Sequence, residues 1–224
     1  MVLDNLLPIL TSDLLLKEME NFDRKKHWEN IYQTKQPQDV SWFQTKPDTS
    51  LNFFKKFQVP LSAKIIDVGG GDSLLVDNLL DLRYKDITVL DISEAAIDRA
   101  KRRLGIRAKN VKWVVGDILN FQTTEKFDVW HDRAAFHFLT EEIDIKKYVS
   151  ISNDLINNSG ILVIGTFSET GPRKCSGIEI RNYSEDSLSN YFEDSFQKIS
   201  CISVDHQTPF ETIQNFVFCS FRKL

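Results

Sequence analysis

The chain has 224 residues, of which 42% are hydrophobic and 27% charged, and these values are typical of a globular domain with one substantial core. They exclude a disordered chain and a fibrous one. The net charge of −4 and the isoelectric point near 5.6 give no field that would gather nucleic acid, so no dedicated nucleic-acid binding is expected.

Membrane and metal signals are missing from the sequence. No apolar run approaches the roughly 18 residues of a membrane span, and the first residues lack the basic flank of a signal peptide, so we expect a cytoplasmic protein with no membrane partner. The cysteines, Cys175, Cys201 and Cys219, are odd in number and widely spaced, which indicates neither a disulfide framework nor a zinc site. The histidines show no ligand spacing either, so no metal is predicted, and the oligomeric state has no readable signature.

The first strand predicted along the chain leads directly into glycines. Residues 65–68 form an apolar run that carries Asp67, and three glycines follow it: Gly69, Gly70 and Gly71. A strand that opens through glycines into a helix brings bare backbone N–H groups up to a ligand. Ser73 is a good N-cap for the helix expected from about residue 73 to residue 81. This segment therefore predicts a nucleotide-like ligand, and a tight glycine turn with no ligand is the alternative.

Two common nucleotide sites fit this segment poorly. A P-loop needs Lys followed by Ser or Thr after its last glycine, and Leu74 and Leu75 stand there instead. A dinucleotide fingerprint needs a third glycine three residues after the second, and counting from Gly71 reaches Leu74. The NAD interpretation is therefore weakened. What remains is an acid at a strand end followed by Gly69-x-Gly71-x-Ser73.

This pattern resembles the first motif of the class I S-adenosylmethionine-dependent methyltransferases. The usual pattern in that family is acid-x-Gly-x-Gly-x-Gly, so Ser73 departs from it at the last position. The resemblance implies S-adenosylmethionine as cofactor and S-adenosylhomocysteine as product. It also implies that the charged amino-acid end of the cofactor meets four residues: Asp67, Gly69, Gly70 and Gly71.

Two further acids follow at the ends of the next predicted strands. Residues 87–91 end in Asp91, about 20 residues past the glycines, where a carboxylate accepts hydrogen bonds from both ribose hydroxyls of an adenosine. Ser93 then caps a helix, and a third strand over residues 111–115 precedes Asp117. The family resemblance implies that Asp117 meets the exocyclic amine of adenine. Three neighbours belong to the same predicted cofactor site: Ile92, Ile118 and His131.

Strands and helices continue to alternate along the chain. A fourth strand is predicted over residues 127–131, a helix over 141–156 and a fifth strand over 160–167. Two late β-rich runs, 196–204 and 216–221, have no convincing helix between them and should pair antiparallel. The alternation predicts an α/β fold with a doubly wound parallel sheet. The family resemblance implies seven strands, mostly parallel, with a C-terminal antiparallel hairpin.

The segment after the fourth strand is expected to lie over the transferred methyl group. Asp132 or His137 would take a proton from a substrate amine, thiol or hydroxyl, and Arg133 would hold an acidic substrate group by a bidentate contact. In the alternative, Asp132 pairs with Arg133 and His137 packs among aromatic side chains. No Asn-Pro-Pro-aromatic run follows the strand, so a resemblance to amino-methyltransferases of nucleic-acid bases is not supported.

Residues 1–60 are expected to form an N-terminal helical arm on a cofactor-binding domain of residues 61–224. Trp28 and Tyr32 are four residues apart and share a helix face, and Trp42 would join them after a turn. These rings would cover the cofactor and exclude water, or would only fasten the arm to the domain.

Glycine and proline in residues 168–177 predict a loop after the fifth strand, where Arg173 and Lys174 would attract an acidic substrate or would only be solvated. The arm and this loop would enclose a pocket from two sides. The sequence therefore predicts a methyltransferase whose acceptor is slightly more favoured to be a small molecule than a protein. The alternatives are a protein-lysine methyltransferase and a non-catalytic module that binds S-adenosylmethionine.

Overall fold

The computed structural model describes residues 22–224, so the first 21 residues of the expected N-terminal helical arm lie outside this part of the chain. Two helices precede the sheet, α1 (Arg24–Thr34) and α2 (Asp48–Lys56). Strands and helices then alternate in the order β1 (Lys64–Val68), α3 (Leu75–Asp81), β2 (Asp86–Asp91), α4 (Glu94–Leu104), β3 (Val111–Val115), β4 (Phe127–Arg133), α5 (Glu142–Leu155) and β5 (Ile156–Phe167). The remaining elements are β6 (Lys174–Cys175), β7 (Ile178–Glu179), α6 (Glu185–Asn190), β8 (Phe196–Gln207) and β9 (Ile213–Lys223).

The main sheet has seven strands in the order β3-β2-β1-β4-β5-β9-β8. The first five strands in that order run parallel, whereas β9 is antiparallel to β5 and β8 is antiparallel to β9. This arrangement confirms the predicted parallel sheet with a late antiparallel hairpin. β1 and β4 are central and neighbouring strands, so their carboxyl ends meet beside the glycine turn.

Both faces of the sheet are buried, as the continuous apolar runs of parallel strands require. Ile66 and Val68 of β1 pack into one hydrophobic cluster with Trp130, whereas Ile65 points into the opposite cluster with Leu79. Successive residues of one strand thus serve two cores. This packing fixes β1 and the side chains at its end.

The helix caps follow the sequence in one case and depart from it in the other. The Ser93 side chain accepts a hydrogen bond from Ala96 N at 3.2 Å and caps α4 as predicted. Ser73 is not the cap residue of α3, which begins at Leu75 after Leu74, although the Ser73 Oγ accepts a hydrogen bond from Leu75 N at 3.2 Å. The reason is that Ser73 N donates to Gly70 O at 2.9 Å, which keeps Ser73 inside the glycine turn.

The prediction of no disulfide is wrong. Cys201 and Cys219 are directly opposite each other on β8 and β9, with Cα atoms 4.1 Å apart, and they form a disulfide bond. Cys175 is a free, buried thiol. Spacing alone does not show the pair, because the pairing depends on the register of the hairpin formed by β8 and β9.

Among residues 22–224, no helix is both long and apolar enough to cross a membrane. The cytoplasmic location stays a prediction.

Candidate functional site

The turn between β1 and α3 requires glycine at three successive positions. Gly69 and Gly71 have φ angles of +64° and +51°, a region that disfavours side chains. A Cβ atom at Gly71 would lie 2.6 Å from the Tyr32 hydroxyl, and one at Gly70 would lie 2.6 Å from Asp67 Oδ2. The backbone of this turn is therefore bare toward both the arm and the carboxylate.

Two adjoining cavities open at the carboxyl ends of the central strands. The first, named the Asp91 cavity, is lined by Arg24, Trp28, Tyr32, Gly69, Asp91, Ile92, Asp117, Ile118 and Phe138, among others. The second, named the Asp67 cavity, is lined by Tyr32, Trp42, Asp67, Gly69, Gly70, Ser73, His131, Arg133, Phe138 and Cys175, among others. Open α/β sheets bind ligands at this edge. The structure thus brings the predicted cofactor residues together. Gly71 lies next to Tyr32 and Asp91, which line these cavities.

Asp91 lies at the end of β2 and is almost fully buried. Its Oδ1 accepts a hydrogen bond from Ser93 N at 2.8 Å. Burial raises the pKa of Asp91 to about 7, and the charge of Asp72 adds to the shift while the Ser93 N–H opposes it. A ligand that donates hydroxyl hydrogen bonds would favour the ionised form.

Asp117 follows β3 and is already in contact with the arm. Its Oδ1 accepts from Leu119 N at 2.9 Å, and its Oδ2 is 3.2 Å from Arg24 Nη2. The sequence prediction missed Arg24, although Arg24, Trp28 and Tyr32 are spaced four residues apart and so share one face of α1. That spacing is the sequence signal from which Arg24 could have been predicted as a residue of the site.

His131 holds Asp67 in place. His131 Nδ1 is 2.7 Å from Asp67 Oδ1, and His131 Nε2 is 2.8 Å from Ser50 Oγ of α2. Because a carboxylate only accepts, Nδ1 carries the proton toward Asp67, and in the neutral ring Nε2 accepts from the Ser50 hydroxyl. All three residues are buried. His131 thus lines the cavity chiefly as the residue that orients the carboxylate.

Arg133 ends β4 and lines the Asp67 cavity. Its Nη2 donates to the Trp42 carbonyl at 3.0 Å, and among residues 22–224 no carboxylate lies within 4.0 Å of its guanidinium. Burial lowers its pKa, and the charge of Asp67 counters that shift. His206 Nε2 donates to the Ser41 carbonyl at 2.6 Å, so two side chains of the domain hold the Trp42 segment, residues 41–44, against it.

The prediction that Asp132 takes a proton from the substrate needs correction. Asp132 is fully buried and lines neither cavity; Tyr148 donates to its Oδ2 at 2.8 Å, and Ala135 N and Phe136 N donate to its Oδ1. β4 continues through Arg133, so side chains alternate, and Asp132 points away from the face that carries His131. Burial raises its pKa to about 6. Its role is to hold the turn after β4, and the alternative, a pair between Asp132 and Arg133, is also absent from the described residues.

His137 is corrected in the same way. The ring is fully buried, lines neither cavity and stacks on Phe167 with centroids 4.9 Å apart. Burial lowers its pKa to about 3, so it stays neutral. The alternative interpretation, a histidine packed among aromatic rings, is the one the structure supports.

Four aromatic rings cover the two cavities. The centroid of Trp28 is 5.0 Å from that of Phe138 and 5.7 Å from that of Trp42, and Tyr32 is 6.5 Å from Trp42. All are edge-on contacts of the kind that aromatic pairs prefer. The rings line the cavities and fasten the arm; that they cover a bound cofactor and exclude water stays a prediction.

Polar contacts also fix α1 to α4. Glu29 accepts from Ser93 Oγ at 2.9 Å and from Ala95 N at 3.2 Å, which places a carboxylate at the N-terminus of α4. Arg99 of α4 donates to the Lys35 carbonyl at the end of α1 and lies 3.5 Å from Asp72 in the glycine turn. The arm is thereby linked to the turn and to the helix that follows Asp91.

The segment 168–177 is only partly a loop, because β6 and β7 form a small hairpin at its end. Cys175 of this hairpin reaches the Asp67 cavity, and burial raises the pKa of its thiol to about 12, which keeps it protonated. Lys174 is paired with Glu179 at 2.8 Å, and both it and Arg173 are exposed and line neither cavity. The attraction of an acidic substrate by these two residues stays a prediction.

Known proteins match this chain in sequence. The methyltransferase domain family matches residues 65–160, which hold the glycine turn and all three strand-end acids. The mouse eEF1A lysine and N-terminal methyltransferase is 27% identical over 135 residues, 59% of this chain and 19% of that protein. The human EEF1A lysine methyltransferase 2 is 22% identical over 192 residues, 77% of this chain and 74% of that protein.

The fold is also shared with solved structures. The N-methyltransferase NodS from Bradyrhizobium japonicum, in complex with S-adenosyl-L-homocysteine, superposes with a TM-score of 0.68 at 17% identity, covering 90% of this chain and 99% of NodS. The chain spans about a fifth of the length of the mouse and bovine eEF1A lysine and N-terminal methyltransferases that it matches. The match to the methyltransferase domain family over residues 65–160, the fold shared with NodS and the glycine turn flanked by strand-end acids together support the resemblance to the class I S-adenosylmethionine-dependent methyltransferases.

Proposed function

We propose that the chain binds S-adenosylmethionine across the Asp91 and Asp67 cavities and transfers its methyl group to a small-molecule acceptor. One observation carries the proposal: buried carboxylates end neighbouring parallel strands on both sides of a bare glycine turn. Such a pair suits an adenosine at one end and a charged amino-acid group at the other, with no phosphate between them.

The residues of the Asp91 cavity fit an adenosine. Asp91 would accept hydrogen bonds from the ribose hydroxyls, and the side chains of Ile92 and Ile118 would pack on the adenine ring. Asp117 would accept a hydrogen bond from the adenine amine after its Oδ2 separates from Arg24. The neighbouring Asp67 cavity would then receive the amino-acid end.

The chemistry of the transfer makes modest demands on the chain. S-adenosylmethionine supplies a methyl group on a positively charged sulfur, and the departing thioether is neutral. The protein then has to align an acceptor in line with the methyl group and keep water out. The rings of four residues would exclude water: Trp28, Tyr32, Trp42 and Phe138. Because these demands include no proton-accepting side chain, they agree with the finding that Asp132 and His137 line neither cavity.

A small acceptor is favoured by the cover over the Asp67 cavity. The Trp42 segment closes it from one side and the Cys175 hairpin reaches it from the other. Its carboxylate, Asp67, would be used by the amino-acid end of the donor, so a lysine ammonium entering from a protein would need a second carboxylate there. A protein-lysine acceptor is the second candidate, favoured by the names of the eEF1A relatives.

A thermal-shift titration tests cofactor binding first. S-adenosylmethionine and S-adenosylhomocysteine should each raise the melting temperature of the wild type in a concentration-dependent way, because a ligand that binds only the folded state stabilises it. NAD should not. Stabilisation by NAD alone would overturn the proposal.

Transfer is tested with tritiated S-adenosylmethionine incubated with a cell extract and the protein, followed by separation by size. Label in the small-molecule fraction is the expected result. Label in protein would favour the lysine candidate, and absence of label in either fraction despite tight cofactor binding would favour a non-catalytic module. The Asp91→Ala variant serves as the control for label that does not depend on this site.

A further inference from the structure

A third cavity adjoins the Asp91 cavity. It has a volume of about 440 Å³, and we name it the Thr88 cavity after a buried residue that lines it. Three residues, Leu90, Gly116 and Asp117, line both cavities. The two spaces therefore meet at Asp117, the residue that would accept a hydrogen bond from the adenine amine of the donor.

The Thr88 cavity exists because no helix covers this part of the sheet. Thr88 and Leu90 of β2 are paired with Lys112 and Val114 of β3, so the four side chains lie on one face. The connection from β3 to β4 contains only a short 3-10 turn, Ile118–Asn120, whereas the other connections between parallel strands each contain an α-helix. A space large enough for a ring is left between the sheet and this connection.

The walls of the Thr88 cavity favour a neutral group. Each charged side chain in the lining is already paired: Lys112 Nζ lies 3.1 Å from Asp86 and 2.8 Å from Glu125, and Asp117 is paired with Arg24. The apolar part of the lining consists of Leu90, Val114, Val115, Phe121 and Phe127. An ionic ligand would find no free counter-charge here, whereas an aromatic ring would find apolar contacts.

Thr88 adds a hydrogen-bonding group to these apolar walls. The residue is 3% exposed, and its hydroxyl makes no hydrogen bond to any atom of residues 22–224. A buried hydroxyl without a partner is unfavourable, so a ligand that offers an acceptor atom would relieve this cost. The ring that suits the cavity is therefore one that carries an acceptor atom.

Gly116 leaves the passage between the Asp91 and Thr88 cavities open. Among the described residues, a Cβ atom built at Gly116 would meet no atom within 4 Å beyond its own chain neighbours. No side chain separates the two cavities at this position. A substituent that starts at the adenine end of the donor would thus find room to enter the Thr88 cavity.

We infer that the Thr88 cavity is an extension of the donor site that binds a neutral, planar substituent on the adenine amine. The inference rests on the proposed function, in which that amine meets Asp117. An adenine amine with one substituent keeps one N–H, so it still donates to Asp117 while the substituent occupies the Thr88 cavity. The chain then accepts donors that carry such a ring as well as S-adenosylmethionine itself.

The test compares S-adenosylhomocysteine with its N6-furfuryl derivative, whose added ring is neutral and planar and carries an acceptor oxygen. Isothermal titration of the wild type should give affinities within about threefold of each other, or tighter binding of the derivative. Val114→Phe fills part of the Thr88 cavity and touches neither of the other two cavities. It should weaken the derivative by about tenfold or more and leave S-adenosylhomocysteine within about twofold. Thr88→Val removes the hydroxyl and should weaken only the derivative, by about three- to tenfold.

The matched control is Val149→Phe, the same exchange at a half-buried valine of α5 that lines none of the three cavities. It should leave the ratio of the two affinities as in the wild type. Equal weakening of both ligands by Val114→Phe would overturn the inference, because the effect would then lie in the adenine site. So would a derivative that binds the wild type more than about 30-fold more weakly than S-adenosylhomocysteine, because the passage would then be closed.

The inference and the proposed function fail in different ways. If the wild type binds S-adenosylhomocysteine but not the derivative, the extension is overturned and the proposed function stands. If it binds neither ligand, the proposed function itself is overturned. The titrations of the wild type and of Thr88→Val remain decisive if Val114→Phe does not fold.

Discussion

The floor and the roof of the site are built in different ways. The floor consists of the glycine turn, Asp67 and Asp91, and its side chains are buried between parallel strands that belong to two hydrophobic cores. The roof consists of α1 and the Trp42 segment, held by half-buried polar contacts and by aromatic edges. Exposed and half-exposed ion pairs contribute up to about 1 kcal/mol each, far less than a packed core.

This difference assigns separate tasks to the two regions. The floor cannot change without breaking the sheet, so it fixes which ligand binds. We expect the roof to open at a modest free-energy cost and so to control entry and exit of the ligand. Variants of the floor should therefore change equilibrium affinity, whereas variants of the roof should change rates.

The largest expected effect is at the floor. Asp91→Ala should weaken S-adenosylhomocysteine binding by about 1.5 to 3 kcal/mol, because charge-assisted hydrogen bonds to the ribose are lost. Isothermal titration measures the change. Removal of a buried carboxylate should not lower the melting temperature of the free protein by more than a few degrees, which separates lost binding from lost folding. Unchanged affinity would remove Asp91 from the site.

The second-largest effect is expected where the floor contacts the roof, at Gly71 and Tyr32. Gly71→Ala forces a side chain into a left-handed φ and toward the Tyr32 hydroxyl, and the backbone term alone costs about 1 kcal/mol. We expect weaker S-adenosylhomocysteine binding and partial recovery in the double variant with Tyr32→Phe, which lacks the hydroxyl. A double-mutant cycle of melting temperature and affinity measures this coupling. Strictly additive effects would show that turn and arm do not press on each other.

The third effect concerns pH. Because the pKa of Asp91 is raised to about 7, the ionised fraction of this carboxyl group increases as pH rises from 6 to 8. The affinity for S-adenosylhomocysteine should therefore increase up to about tenfold over this range and then level off. The free protein should lose stability over about pH 4 to 7, since its folded state retains a proton that the unfolded chain has released. Titrations across this range check both trends. In Asp91→Asn the binding should become flat with pH.

The smallest effect is expected at the roof. Glu29→Gln removes the charge that α1 places at the N-terminus of α4, a contact worth about 0.5 to 1 kcal/mol. Stopped-flow fluorescence of Trp28 and Trp42 should show severalfold faster release of S-adenosylhomocysteine with less change in affinity. Glu94→Gln, an exposed acid in the first turn of the same helix, is the matched control. Equal changes in both variants would point to a general charge effect.

The floor was largely predictable because its signals are local. Asp67 and Asp91 each stand at the end of an apolar run, and the glycines follow one of them directly. In a parallel sheet the carboxyl ends of the strands lie at one edge, so these acids are expected to meet there without any further signal in the sequence. The end of β4 was placed two residues early, at His131, and that error made Asp132 a cavity residue when strand alternation turns it away.

The contacts of the roof and the disulfide bond could not be predicted from local sequence signals. Glu29 meets Ser93 across 64 residues of chain, and Arg133 meets the Trp42 carbonyl across 91. The Cys201–Cys219 pair depends on the register of the final hairpin. Contacts of this kind arise from docking and register, which leave no periodic trace in the sequence.

The two contacts of Arg99 have a kinetic consequence. Because this side chain contacts both the end of α1 and Asp72 of the glycine turn, we expect detachment of the arm and relaxation of the turn to be coupled. If the spent cofactor leaves only when the arm detaches, each catalytic cycle passes through that event once. The steady-state turnover number would then report how often the arm detaches, and the methyl-transfer step itself would be visible only in a single turnover.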